Sequence, residues 1–366
     1  MPQVANASGS GRDARIDTLR GLLLVVMTVD HVAPDWITRF TSETLGFVSA
    51  MEGFFLLSGY SFALAYRRLV PVPGQLWAKT WQRALMLYGY HLLSLACAFA
   101  IGMLGLLSAI GWEARAADAA SLGPGLILWT LLLFYRPQYF DVLPCYILLL
   151  LAAPILLRAL HRSWLAGWVL VFSAALWGLG QVFDPFELLA SQISPIRSVW
   201  PNVLIWQLPF VLGMACAVPT AGLARPWAQG RALSAACLLL AVGCLALRHG
   251  WLPAPSEVLA GFDKANLGPL RVLNLLLLLQ LGGWLLARYP RDSRQPFLAL
   301  LGRHSLEVFS FHILLAYAVQ PVFDALSARG SQGLVLGLLL ACVAALAVPA
   351  GLHQRYQDKR RAPASR

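Results

Sequence analysis

The sequence predicts an all-α, polytopic integral membrane protein of about ten transmembrane helices, with both termini in the cytoplasm. Three observations carry this prediction. The 366-residue chain is 58% hydrophobic and only 12% charged, more apolar surface than a soluble fold of that size can bury. Its apolar stretches recur at lengths near the ~20 residues that a helix needs to cross the hydrocarbon core. Its formal charge of +11 comes from short basic clusters between those stretches, the pattern of cytoplasmic loops rather than of a nucleic-acid patch.

In chain order, the expected spans lie at 19–37, 46–66, 84–110, 144–160, 165–182, 202–218, 232–248, 270–287, 305–325 and 334–352. The stretch GLILWTLLLF at 125–134 is an eleventh candidate, short and running into RPQYFDVLP. Charge decides between the two counts. With ten spans and a cytoplasmic N-terminus, 20 of the 28 basic residues fall on the cytoplasmic side, as the positive-inside rule requires. A crossing at 125–134 would swap every later loop and leave 13 inside against 15 outside.

The prediction is therefore a single membrane domain over 1–355, with a flexible N-terminus at 1–11 and a basic, disordered cytoplasmic tail at 356–366. No cleaved signal peptide is expected, because MPQVANASGSGRDAR is polar and no small-residue cleavage site follows the first apolar run. Cys97, Cys145, Cys216, Cys237, Cys244 and Cys342 form no CxxC pair and read as small buried hydrophobes. The seven histidines are spread along the chain without ligand spacing, so no metal site is expected.

Charged groups at bilayer depth cost on the order of 2.5–3.5 kcal/mol each, so they mark function or a polar interior. The first span, RIDTLRGLLLVVMTVDH at 15–31, carries several. At about 100° and 1.5 Å per residue, Arg20 and His31 fall on one helix face roughly 16 Å apart, and Asp17 joins them one turn before Arg20. Asp30 adjoins His31, but neighbouring residues point about 100° apart, so another acid is also a candidate to orient the imidazole. Glu52, in SAMEGFFLLSGY, sits at comparable depth in the next span. Ser58 and Gly59 beside it read as a small-residue packing seam. In LGRHSLEVFSFHILL, Ser305 and His312 share a face two turns apart, while Glu307 points elsewhere and His304 reads as an interface residue.

An arginine and a histidine ten residues apart in a first span, RGLLLVVMTVDH, resemble the membrane acyltransferase-3 superfamily, in which that histidine is catalytic. SAMEGFFLLSGY and RHSLEVFSFH are similar to its other recurrent segments. The resemblance narrows to the OpgC type, which succinylates osmoregulated periplasmic glucans. It is carried by RDARIDTLRG at 12–21, AMEGFFLLSGY, YFDVLPCYILLLLAAPILL at 139–157, WPNVLIWQLPFVLG at 200–213, FDKANLGPLRVLN at 262–274 and LGRHSLEVF at 301–309. Glu307 departs from that pattern, where a proline or apolar residue is expected.

This resemblance implies a multi-pass protein of the bacterial inner membrane that passes an acyl group, succinyl from succinyl-CoA, to a glucan hydroxyl in the periplasm. His31 would act as general base with Asp30 or Glu52 orienting it, or would carry the acyl group itself. Arg20, with Arg83 and Arg303, would hold CoA phosphates, for which forked guanidinium donors suit; Asp17, Ser305 and His312 complete the donor side. Trp200, Asn202, Trp206, Gln207, Asp141, Asp263 and Lys264 would bind the glycan by stacking and hydrogen bonds. Acyl-CoA is expected as co-substrate with no permanently bound cofactor, and membrane lipids and a glycan acceptor as partners, without nucleic acid. The competing readings are an O-acetyltransferase of another envelope polysaccharide and, from another class, a transporter or flippase using His31, Asp30 and Glu52 as a proton relay. Transporters commonly show inverted repeats, and no two halves of this sequence echo each other.

Overall fold

The computed structural model describes residues 13–103, 123–185, 187–188, 201–223, 230–290 and 294–361. Among these the chain is helical, without a strand. The longer helices are α1 (Ala14–Val32), α2 (Ala50–Tyr66), α3 (Pro73–Met103), α4 (Val142–Leu160), α5 (Ser163–Gly180), α6 (Val203–Ala217), α7 (Arg231–Arg248), α8 (Pro269–Leu286), α9 (Pro296–Arg303), α10 (Ser305–Ala328), α11 (Gln332–Ala345) and α12 (Ala347–Arg361).

Seven candidate spans among the described residues are long and apolar enough to cross a membrane: α3, α4, α5, α7, α8, α10 and the continuous α11–α12 rod. The predicted count of about ten includes α1, α2 and α6 as well. These are shorter or more polar: α6 has 15 residues, α2 has 17, and α1 carries Arg15, Asp17, Arg20 and Asp30. The 125–134 stretch forms only the seven-residue helix Gly125–Leu131. At 1.5 Å per residue that is about 10 Å, a third of the hydrocarbon thickness.

Local chemistry moves several boundaries from their predicted positions. The first helix begins at Ala14, because the Asp13 side chain accepts from the Arg15 amide at 3.1 Å and caps it. It ends at Val32 instead of 37, because Ala33 precedes Pro34 and is held extended. At the other terminus, the predicted disordered tail is helical through Arg361. The run LHQRYQDKRR contains no glycine or proline to stop it, and His353 within it meets Glu307 of α10.

Two close helix crossings fix the bundle. A Cβ on Gly59 would overlap the Phe210 carbonyl, and one on Gly213 would overlap the Leu56 carbonyl, so α2 and α6 touch backbone to backbone. The seam predicted at Ser58 and Gly59 is this crossing. Gly21 and Gly302 do the same between α1 and α9, against the carbonyls of Leu298 and Asp17. The main core gathers α2, α3, α4, α6 and α10 around Phe55, Trp206, Phe210 and Phe309, whereas α5 and α7 present most of their apolar surface outward, as lipid-facing helices do.

Candidate active site

Helices α1 and α10 run side by side and meet at both ends of the stripe read from the sequence. At one end the Arg20 guanidinium donates to Ser305 Oγ at 2.6 Å. At the other, His31 Nδ1 stands 3.2 Å from His312 Nε2. Two residues on one face of α1 thus contact two residues on one face of α10. Leu24, Met27 and Thr28 lie buried between these contacts, so the seam is packed along its length.

The hydrogen bonds of the histidine pair select tautomers. His312 Nδ1 lies 2.5 Å from the Phe309 carbonyl, which can only accept, so Nδ1 carries the proton and neutral His312 has a bare Nε2. That nitrogen accepts from His31 Nδ1–H. The lone pair of His31 is then at Nε2, set by an ordered chain from a backbone carbonyl.

An aromatic loop holds the His31 ring in plane. Tyr139 stacks on it with centroids 4.1 Å apart and planes 23° apart. Tyr139 has φ +71°, a region costly for a bulky side chain unless its surroundings enforce it. Tyr317 of α10 does so from below, donating its hydroxyl to the Gln138 carbonyl at 2.6 Å, while Phe140 is buried beside it. Asp141 follows at the head of α4. Burial pushes its carboxyl up to about 6, against the pull of Arg136 and Lys264. The Lys264 ammonium also acts on Asp30 and His31, so all four groups belong to one neighbourhood.

The two carboxylates expected to orient His31 are engaged elsewhere. Asp30 accepts from Thr41 Oγ1 at 2.6 Å. Glu52 is completely buried. Its Oε1 accepts from Arg271 Nε, and its Oε2 from the Ser49 hydroxyl and, at 3.1 Å, from the Ser49 amide. It closes the capping box of α2. Arg271 Nη1 continues the network to Glu43 at 2.8 Å, and Glu43 pairs with Arg248 at 2.9 Å. The partner of His31 Nδ1 is therefore not the expected carboxylate but His312, a residue expected on the donor side.

A family model described as OpgC protein matches residues 12–358, nearly the whole chain. The chain belongs to the OpgC protein family. Membership points to a glucan-modifying membrane enzyme of the acyltransferase class. No curated protein and no solved structure matches in the corresponding comparisons.

In this OpgC-family chain, the residues expected on the donor side gather in part. Arg303 Nε lies 3.7 Å from Asp17 Oδ2, beside the Arg20–Ser305 contact. Arg83 sits on α3, where its charge reaches Tyr66 and Tyr90. The residues expected to bind glycan disperse. Trp200 lies outside the described residues. Asn202 caps α6, its Oδ1 taking the Leu204 amide at 3.0 Å and its Nδ2 reaching the carbonyls of Gly180 and Phe183 at 3.1 and 2.9 Å. Gln207 exchanges hydrogen bonds with Ser173 of α5 at 2.7 and 2.8 Å. Trp206 is enclosed in the core, 5.4 Å from Phe55. Each of these three is turned inward by helix packing rather than outward toward a sugar. Asp263 folds over the amides of Ala265 and Asn266 at 3.3 and 2.9 Å, leaving Lys264 and Asp141 as the members of the set near His31.

Sequence reasoning missed Arg271 and Tyr139 as parts of this region. The signal for Arg271 was present: a charge inside the apolar run of α8 has to find a partner at depth. It also expected no metal-ligating cluster, yet the fold brings His304, Glu307 and His353 together, with ligand atoms within 4.8 Å of one another. An apolar cavity of 770 Å³ opens between α1, α2 and α8, from Arg15 to Thr41. It is lined by Leu19, Leu22 and Val26, the flank of α1 turned away from Arg20 and His31.

Proposed function

We propose that the protein transfers an acyl group, succinyl from succinyl-CoA, to a hydroxyl of a periplasmic glucan, with His31 as general base. The observation that supports it is the carbonyl–His312–His31 chain, which leaves the His31 Nε2 lone pair for an incoming proton. In this reading the Arg20 end of the bundle is cytoplasmic and the His31 end faces the periplasm of a bacterial inner membrane, as the distribution of basic residues favours. The link to the acyltransferase-3 superfamily rests on the RGLLLVVMTVDH spacing.

The glucan hydroxyl gives its proton to His31 Nε2 while its oxygen forms a bond to the thioester carbonyl carbon. The tetrahedral intermediate collapses, the carbon–sulfur bond breaks, and the leaving thiolate takes the proton from His31. His312 accepts the Nδ1–H bond throughout and strengthens as an acceptor when His31 is cationic. Tyr139 keeps the ring from rotating out of line. Arg20 and Arg303 would hold CoA phosphates at the far end, and Lys264 with Asp141 would contact the acceptor. For the donor's arm to lie along the α1–α10 seam, Leu24, Met27 and Thr28 have to give way, so donor binding parts these helices.

The test uses purified protein in liposomes with succinyl-CoA and glucan. His31→Ala is expected to lower transfer by about 10²–10⁴-fold with the fold retained; undiminished transfer would end the proposal. Arg20→Ala should raise the KM for the donor. Faster turnover with acetyl-CoA would move the reading to an O-acetyltransferase, and movement of cargo without covalent product to a transporter.

A further inference from the structure

The only described cluster of potential metal ligands lies at the Arg20 end, away from His31. The helix between Pro296 and Ala328 is broken at His304, whose φ of −109° and ψ of 37° separate α9 from α10. The break turns the His304 side chain, which is buried, toward the C-terminal helix. Glu307, in the first turn of α10, and His353, in α12, complete the group. One ligand atom from each lies within 4.8 Å of the other two.

The contact between His353 and Glu307 is informative in itself. His353 Nδ1 stands 2.6 Å from Glu307 Oε1, yet it is not in hydrogen-bond geometry with that oxygen or any other acceptor. Two lone-pair atoms that converge without a proton aligned between them repel each other, and a cation drawn between them relieves that repulsion. Outer partners are in position for both. Gln357 lies 3.1 Å from His353 Nε2, and its amide, turned by 180°, accepts from Nε2–H and leaves the Nδ1 lone pair for a metal. The Tyr90 hydroxyl donates to Glu307 at 3.3 Å, the support that ligating carboxylates usually have.

We propose that His304, Glu307 and His353 bind one transition-metal ion of the zinc type, which ties the start of α10 to the C-terminal helix. Two imidazoles and one carboxylate suit zinc, whereas magnesium and calcium take oxygen-only sets. Bond lengths near 2.1 Å put tetrahedral ligand atoms roughly 3.4 Å apart, so the His353 Nδ1–Glu307 Oε1 pair opens from 2.6 Å by about 0.8 Å while the widest pair, within 4.8 Å, draws in. Water fills the fourth position. Nearby Arg303 is paired with Asp17, which limits its repulsion of the ion. The inference does not rest on acyl transfer, and its readouts are metal content and thermal stability.

The full-length protein, in detergent with its purification tag removed, is stripped with a chelator, reloaded with zinc chloride and desalted. Elemental analysis is expected to find one zinc per chain in the wild type and in a His249→Ala control. His304→Ala, Glu307→Gln and His353→Ala should each lose it. Zinc should raise the Tm of the wild type and leave that of His353→Ala unchanged, and cobalt in its place should give the intense visible bands of a tetrahedral site. A wild type that retains no zinc, or a folded His353→Ala protein that retains a full equivalent, overturns the proposal.

Discussion

Two buried polar pairs link an early helix to a late one, and they differ in what they leave over. His31 of α1 meets His312 of α10 at 3.2 Å, and the chain from the Phe309 carbonyl uses up one nitrogen of His31 and none of the other. Glu52 of α2 meets Arg271 of α8, and both of its oxygens are occupied, by the guanidinium and by Ser49. Both pairs raise the same flag in a sequence, an ionisable group inside an apolar run. Only the first keeps an acceptor atom that the pairing itself does not use, since both oxygens of Glu52 already accept. Depth and charge identify a residue that the fold has to accommodate; the count of satisfied atoms separates chemistry from architecture.

Glu52 is the position with the largest expected effect. Glu52→Ala leaves the buried Arg271 Nε without its acceptor, with Glu43 as the remaining carboxylate at Nη1, and should destabilise the protein by about 3 kcal/mol, measured as a fall in Tm and in folded yield. Next in size, His312→Ala removes the acceptor for His31 Nδ1–H. Leaving one partner of a buried hydrogen bond unmade costs about 1–3 kcal/mol, so turnover should drop roughly 10–100-fold, with kcat falling more than the donor KM rises. Were Glu52 the orienting group, the two outcomes would exchange.

A smaller effect probes the frame on which the pair stands. Gly302→Ala pushes a methyl group into the Asp17 carbonyl and forces α1 from α9, at a cost of about 1–3 kcal/mol. Because this crossing lies at the Arg20 end, the donor KM should respond more than the environment of His31. The smallest effect concerns Asp141. Its carboxyl is raised from 3.8 to about 6 by burial, so the folded state favours the protonated form. The associated stability is complete below pH ~3.8 and is lost as pH rises through about 6. Asp141→Asn should therefore raise Tm relative to wild type at pH 8, by roughly 2–4 °C, and show little difference at pH 4.

The sequence carried the helical architecture and the seam between α1 and α10, because hydropathy and the 100° helical step are local properties. Helix ends depended on particular caps and breakers: Pro34 shortens α1, and the helix-forming run after Leu352 extends α12 beyond the predicted end. Pairing was less legible. Glu52 looked available because Arg271 lies on a distant helix, and the sequence does not say which distant helices touch. Asn202 and Gln207 looked like sugar ligands because they are polar near a helix end, but a cap and an interhelical amide bond consume them. His304, Glu307 and His353 escaped for the same reason, since the ligand atoms converge only after α12 folds back on α10.

The most direct measurement is acyl transfer per folded molecule in liposomes, compared across His31→Ala, His312→Ala, the double variant and Glu52→Gln. The double variant is expected to be no slower than His31→Ala alone, since His312 acts through His31, and folded Glu52→Gln protein to stay within about threefold of wild type. Transfer that survives His31→Ala, or that is abolished in folded Glu52→Gln protein, would contradict the division of roles between His31 and Glu52.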